Sequence, residues 1–210
     1  MNLLELFAGT KSVGKEAIKL GFNVFSSDFL PEFNTDYCVD ILNFDVTKVP
    51  FKPDVIWSSP PCQSFSVSCI GRNWNYDGII HTPKNESTKL GIRLVEKTIE
   101  IINYFKPKYW FIENPMGILR KLNLIEKIPD FIERHLVSYC QYGDRRKKPT
   151  DIWTNNKSWV SKPSCKNGAP CHEAAPRGSR TGTQGLKDAK ERAVIPPMLC
   201  KEILESCLKN

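Results

Sequence analysis

NLLELFAGTKSVGKEAIKLGFNVFSSD, residues 2–28, decides the architecture. An apolar run (3–7) is followed at once by a turn at Gly9, a helical stretch (15–20) ends at Gly21, and a second apolar run (23–27) ends at Asp28. Short apolar runs bounded by turn residues read as strands, and a strand–helix–strand order makes a right-handed βαβ unit with parallel strands. The alternation continues downstream. A short third strand ends near Asp40-Ile41, DVIWSS (54–59) is a fourth, and KYWFIE (108–113) is a fifth. Between the last two, residues 87–105 predict a long helix in which Leu90, Leu94, Thr98, Ile101, Ile102 and Phe105 recur at three- and four-residue spacing, until Lys106-Pro107 stops it.

After Pro115 come a short helical region, then HLVSYC (135–140) and DIWT (151–154). Periodicity disappears between 155 and 192, and MLCKEILESCL (198–208) returns to a helix with Leu199, Ile203 and Leu208 inward. The pattern predicts an α/β fold: a Rossmann-like, mostly parallel sheet with helices on both faces, plus a small loop-rich basic insertion. The body is residues 1–155 with 193–210, and the insertion is 156–192.

The 210 residues are 40% hydrophobic and 25% charged, which fits one globular body and excludes a disordered or fibrous chain. Apolar runs stop far short of the ~20 residues that cross a bilayer. MNLLELF lacks a basic start and a cleavage site, so it does not read as a signal peptide. The eight cysteines are therefore expected as thiols, metal ligands or a nucleophile rather than disulfides. Charge is uneven. Residues 1–144 carry 16 basic and 17 acidic groups, residues 145–192 carry 12 and 4, and residues 193–210 carry 2 and 2, which gives −1, +8 and 0 and sums to +7. One basic segment on a near-neutral body suggests either a polyanion partner or a solvated surface loop.

Ligands of open parallel sheets bind at the carboxyl ends of the strands. The first such loop, Phe7-Ala8-Gly9-Thr10 and onward, approaches a phosphate-binding loop, but Glu16 stands where a hydroxyl should meet magnesium. Asp28 and Asp40 end the next two strands, where a carboxylate can accept ribose hydroxyls. The fourth loop, Ser58-Ser59-Pro60-Pro61-Cys62-Gln63-Ser64-Phe65-Ser66, holds one cysteine behind two prolines just past a strand. Glu113-Asn114-Pro115 ends the fifth strand. A thiol beside a carboxyl suits addition to an electron-poor ring.

LELFAG (4–9 with Leu3), PPCQSFS (60–66) and ENP (113–115), in this order and spacing, resemble the cytosine-C5 DNA methyltransferases; Asp40-Ile41, Tyr142-Gly143 and AVIPP (193–197) are weaker matches. The resemblance implies methyl transfer from S-adenosyl-L-methionine to carbon 5 of a flipped-out cytosine in double-stranded DNA, as in restriction–modification. It implies Cys62 as the nucleophile and Glu113 at ring N3, with Arg146 and Lys148 as counterparts of the family's catalytic arginines. The cofactor would touch Phe7, Ala8, Gly9, Thr10, Asp28, Asp40, Ile41, Ser59, Pro61, Ala193 and Val194. DNA would meet Gln63, Ser64, Ser66, Arg72, Trp74, Arg145, Arg177 and Arg180. A monomer or weak dimer in the cytoplasm of a bacterial or phage-infected cell is expected. The same chemistry on tRNA and a non-catalytic DNA-binding relative are the alternatives.

The insertion occupies the family's target-recognition place. It reads as a minimal recognition module, a phosphate-binding arm, or a fold around a metal. Cys165, Cys171 and His172 offer three ligands and Cys140 a conceivable fourth, but C-x5-C-H is not a standard zinc pattern, so no metal site is assigned.

Overall fold

A computed structural model of the chain describes residues 1–175, 186 and 188–209. In chain order the elements are β1 (Asn2–Leu6), α1 (Ser12–Lys19), β2 (Asn23–Asp28), β3 (Tyr37–Cys38), β4 (Val55–Ser58), α2 (Ile70–Asn73), β5 (Trp74–Tyr76), β6 (His81–Pro83), α3 (Glu86–Phe105), β7 (Tyr109–Pro115), β8 (Glu133–Ser138), β9 (Pro149–Thr154), α4 (Ala189–Ala193) and α5 (Pro197–Leu208). Seven strands form one sheet in the order β3-β2-β1-β4-β7-β9-β8, while β5 and β6 make a separate hairpin. Strands β3, β2, β1, β4 and β7 pair in parallel, as the βαβ pattern requires, whereas β9 and β8 add an antiparallel edge.

Alternating side chains divide the core between two faces. Leu3, Val55, Trp57 and Phe111 pack with Val13 and Ala17 of α1 and Leu199 and Ile203 of α5. Leu4, Ile56, Trp110 and Ile112 pack with Val95, Ile101 and Ile102 of α3 on the other face. Both faces are covered, which is why the central strands read as unbroken apolar runs.

Several expectations shift. Leu90 and Leu208 are 43% and 47% exposed, so the buried stripe of α3 runs instead through Thr88, Gly91, Val95, Thr98 and Ile102. Gly91 sits on this stripe because the Cys62 loop crosses it: a Cβ there would lie 2.4 Å from Ser64 Oγ. The helical region after Pro115 consists of two single 3-10 turns (119–121 and 125–127). The 135–140 run pairs only to Ser138, and Tyr139–Tyr142 turns away as 3-10 helix. Among the described residues no helix is long and apolar enough to cross a membrane.

Candidate active site

Order reverses between β1 and β4, so their carboxyl ends border the crevice where such sheets bind ligands. The loop after β1 is bent hard. Phe7, Gly9 and Lys11 all have positive φ (53°, 47° and 56°), and two of the three carry side chains that disfavour this region. Two buried carboxylates hold the bend. Asp28 Oδ2 accepts the Gly9 N–H at 2.9 Å and its Oδ1 the Leu30 N–H at 3.0 Å. Glu5, buried in β1, accepts the Val13 and Gly14 N–H groups at 3.1 and 3.0 Å. Helix α1 has no side-chain cap from its own N-cap residue, so Glu5 supplies one from the strand. Burial pushes its carboxyl up to about 7, against the pull of those N–H groups, Lys11 and Lys15. A Cβ on Gly9 would meet nothing within 4 Å, so the bend opens onto free space. Asp40 is exposed and accepts the Leu42 N–H at 3.0 Å, while Ile41 is buried in the core.

Beyond β4, Cys62 begins a 3-10 turn, Cys62–Ser64. Strand β7 lies beside β4 with Ser58 opposite Ile112, so Glu113 emerges one residue further along the neighbouring strand. Three contacts bind the two loops. Asn114 Nδ2 donates to the Pro60 carbonyl at 2.8 Å, Ile118 N–H donates to the Phe65 carbonyl at 2.8 Å, and Ser66 bridges to Gly117. Gly117 is required at this crossing, because a Cβ would lie 2.0 Å from the Phe65 carbonyl oxygen. Glu113 is buried, and the Tyr139 hydroxyl donates to its Oε1 at 2.9 Å.

Burial also pushes the Cys62 thiol up; Lys148 opposes this, and the Glu113 charge adds to it. Lys148 is held down mainly by burial, against the attraction of Glu113 and Cys62. Its ammonium donates to the Arg192 carbonyl at 3.1 Å and stands 4.6 Å from the Tyr139 ring centroid. The thiol, carboxyl, phenol and ammonium therefore share one electrostatic site, with Glu113 and Tyr139 buried and Cys62 and Lys148 half-buried.

Other sequence-predicted residues divide by exposure. Gln63 and Arg72 are exposed, Ser59 and Pro61 half-buried beside Cys62, and Ser66 half-buried. Ser64 is buried and donates to the Ser87 carbonyl at 3.2 Å, which ties the loop to α3 instead of facing DNA. Trp74 is likewise buried, with its ring against Phe65 and Nε1 donating to the Ser64 carbonyl at 2.7 Å. Arg145 is exposed and lies 3.7 Å from Glu173.

Arg146 is the largest departure. It is 4% exposed, and all of its guanidinium nitrogens have protein acceptors. Nε and Nη2 meet the Asp144 carboxylate, Nη1 donates to the Glu191 and Arg192 carbonyls at 3.0 and 3.1 Å, and Nη2 to Val194 at 3.0 Å. With its five N–H groups so engaged, Arg146 clamps the returning chain and has no donor left for a base. That chain passes over the first loop. Ile195 N–H donates to Ser12 Oγ at 3.3 Å, and Lys190 pairs with Glu32 at 2.8 Å, which brings exposed Ala193 and half-buried Val194 to the crevice edge. Arg177 and Arg180 lie outside the described residues.

Sequence reasoning missed Glu5, which it passed over within the apolar run 3–7, and Tyr139, which it placed in the 135–140 run. Glu5 carried a signal, a carboxylate inside an otherwise apolar strand. Tyr139 carried none, since its partner is 26 residues away.

Residues 1–134 match the C-5 cytosine-specific DNA methylase family. The chain is 33% identical, over 99% of its own length and 100% of the relative's, to a protein of Frog virus 3 (isolate Goorha) named probable DNA (cytosine-5)-methyltransferase. Among solved structures it is similar in fold to a putative DNA modification methyltransferase encoded within an E. coli prophage (TM-score 0.56, 16% identity, 83% of this chain and 57% of that one). It is also similar to Spodoptera frugiperda DNMT2 (TM-score 0.51, 19% identity, 80% and 57%). The chain thus spans little more than half the length of these solved proteins. Motifs at the ends of β1, β4 and β7, the sheet that carries them and the near full-length match agree: the chain belongs to the C-5 cytosine-specific DNA methylase family.

Proposed function

We propose that this chain methylates carbon 5 of cytosine in double-stranded DNA, with Cys62 as nucleophile and S-adenosyl-L-methionine as methyl donor. The single observation that carries this reading is the binding of the Cys62 loop to the carboxyl-terminal part of β7 through Asn114 and the Pro60 carbonyl at 2.8 Å. That contact holds a thiol and a carboxyl at neighbouring strand ends, the pair that addition to a pyrimidine ring needs.

Cys62 sulfur adds to carbon 6 of the extruded base, and a proton shared between the Glu113 carboxylate and ring N3 neutralises the negative charge that spreads into the ring. Lys148 favours the thiolate over the thiol, offsetting part of the burial cost. Tyr139 donates to Glu113 and so fixes which oxygen faces the base. The bound cofactor supplies an electrophilic methyl group to carbon 5. Solvent water takes the carbon 5 proton, which re-forms the double bond and expels Cys62 as a thiolate, and the N3 proton returns to Glu113. The bent first loop fits an adenosine-type group: open space lies before Gly9, and the Asp28 carboxylate can still accept hydrogen bonds beyond its two N–H contacts. Phe7 to Thr10, the Ile41 backbone, Ser59, Pro61 and Val194 would line that place. Arg146 acts as a positioning residue. We assign catalysis to 1–155 with 193–210 and DNA contact to the basic insertion 156–192.

Methyl incorporation from labelled cofactor into duplex DNA tests the reading, with bisulfite sequencing to locate the product. Cys62→Ala should lower the rate by at least about 10³-fold with cofactor binding and melting temperature unchanged. Labelling of tRNA alone would move the substrate to RNA, and full activity of Cys62→Ala would remove the nucleophile.

A further inference from the structure

Cys165, Cys171 and His172 are far from any standard zinc spacing, yet the fold brings them together with Cys140. One ligand atom from each of the four lies within 4.8 Å of every other. Cys140 Sγ is 3.3 Å from Cys165 Sγ and 3.6 Å from Cys171 Sγ. His172 Nδ1 is 3.5 Å from Cys165 Sγ and 3.7 Å from Cys171 Sγ. A tetrahedral zinc with Zn–S of about 2.3 Å and Zn–N of about 2.0 Å has S···S edges of roughly 3.8 Å and S···N edges of roughly 3.5 Å. The four atoms thus have the dimensions of a Cys3His ligand shell, and the three cysteines are free thiols.

We propose that these residues bind one structural zinc ion at the root of the basic insertion. Binding converts three thiols to thiolates with release of three protons, while His172 coordinates as a neutral imidazole through Nδ1. The surroundings suit thiolates: Gln141 Nε2 donates toward Cys171 Sγ at 3.3 Å. The segment also has need of a cross-link. Residues 161–175 contain no helix or strand and are mostly exposed. Apart from the cluster, contacts such as Cys165 N–H to Ser138 Oγ (3.1 Å) and Glu173 N–H to the Arg145 carbonyl (2.9 Å) fasten them to the body. Four closed protein ligands leave no open position, which marks a structural ion. Cys140 follows Tyr139, the donor to Glu113, so the ion joins the root of the insertion to the wall of the active site. The proposal does not depend on which nucleic acid is methylated.

The full chain, purified under reducing conditions without chelator, should carry one zinc per molecule by elemental analysis. Cobalt(II) replacement should give thiolate-to-metal charge-transfer bands and the intense visible bands of a tetrahedral centre. Cys165→Ser and His172→Ala should each lower the zinc content at least about tenfold. Cys38→Ser, an exposed cysteine outside the cluster, should retain it, and so should His172→Cys, which keeps four ligands. Wild-type protein that holds no zinc and gives no cobalt bands would overturn the proposal even if every variant misfolded. So would full zinc in Cys165→Ser, or a Cys140–Cys165 disulfide in metal-free active protein.

Discussion

The Cys62 loop and the stretch from 161 to 175 are both irregular chain, but they are held in opposite ways. The Cys62 loop is set into the core: Ser64, Phe65 and Trp74 are buried, α3 narrows to a glycine to admit it, and the Gly117 crossing pins its backbone. The later stretch hangs from Trp159, which is buried with Nε1 on Glu202 at 3.1 Å, and from contacts around Tyr142, Ser138 and Arg145. The difference suits what each would do under the proposed function. A nucleophile has to be placed to within a fraction of an ångström, and packing on several sides provides that. A segment that meets a long polyanion needs accessible charge, and burial would remove it.

The largest expected effect probes how firmly the body holds its own loops. Burial pushes the Glu5 carboxyl up from 4.5 to about 7. Its protonated form is favoured in the folded state, so this contribution is full below pH 4.5 and disappears as pH rises through about 7, amounting to about 3 kcal/mol. Denaturant titrations across that range should show wild-type stability falling with pH and a flatter profile for Glu5→Gln. Equal slopes would mean that Glu5 is ionised in the fold. Next, Tyr139→Phe keeps the ring but removes the donor to Glu113, a hydrogen bond to a carboxylate of about 1.5–3 kcal/mol. Single-turnover methylation should slow roughly 10- to 100-fold while the melting temperature falls by about 3–10 °C, and an unchanged rate would place the phenol outside the machinery. The smallest effect concerns the insertion. Arg177→Gln with Arg180→Gln should weaken duplex binding and reduce the slope of log K against log salt by about 0.9 for each phosphate that is no longer neutralised. An unaltered slope would make the basic segment a solvated surface.

Much of the body was legible in the residues. Apolar runs punctuated by glycine, proline and aspartate mark the parallel strands, because strands buried on both faces need no alternation. The same runs put Cys62 and Glu113 at strand ends. The error at Leu90 has a different origin: spacing defines a helical stripe, but the partner decides its centre, and the partner is a loop more than twenty residues earlier. Arg146 went wrong for the same reason. A basic segment beside a catalytic motif suggests an arginine for the substrate, whereas three carbonyls from a chain segment more than forty residues away and one neighbouring carboxylate consume its donors.

By itself the sequence determined the α/β order, the two loops that carry the thiol and the carboxyl, and the location of the excess positive charge, since each depends on local period, turn chemistry or composition. Only the tertiary structure decided that Glu5 caps α1, that Tyr139 holds Glu113, that Arg146 is a clamp, and that Cys140 meets Cys165, Cys171 and His172. Each of these is a polar pairing formed when burial removes water from groups that are then bonded within the protein, and spacing along the chain does not encode which groups meet.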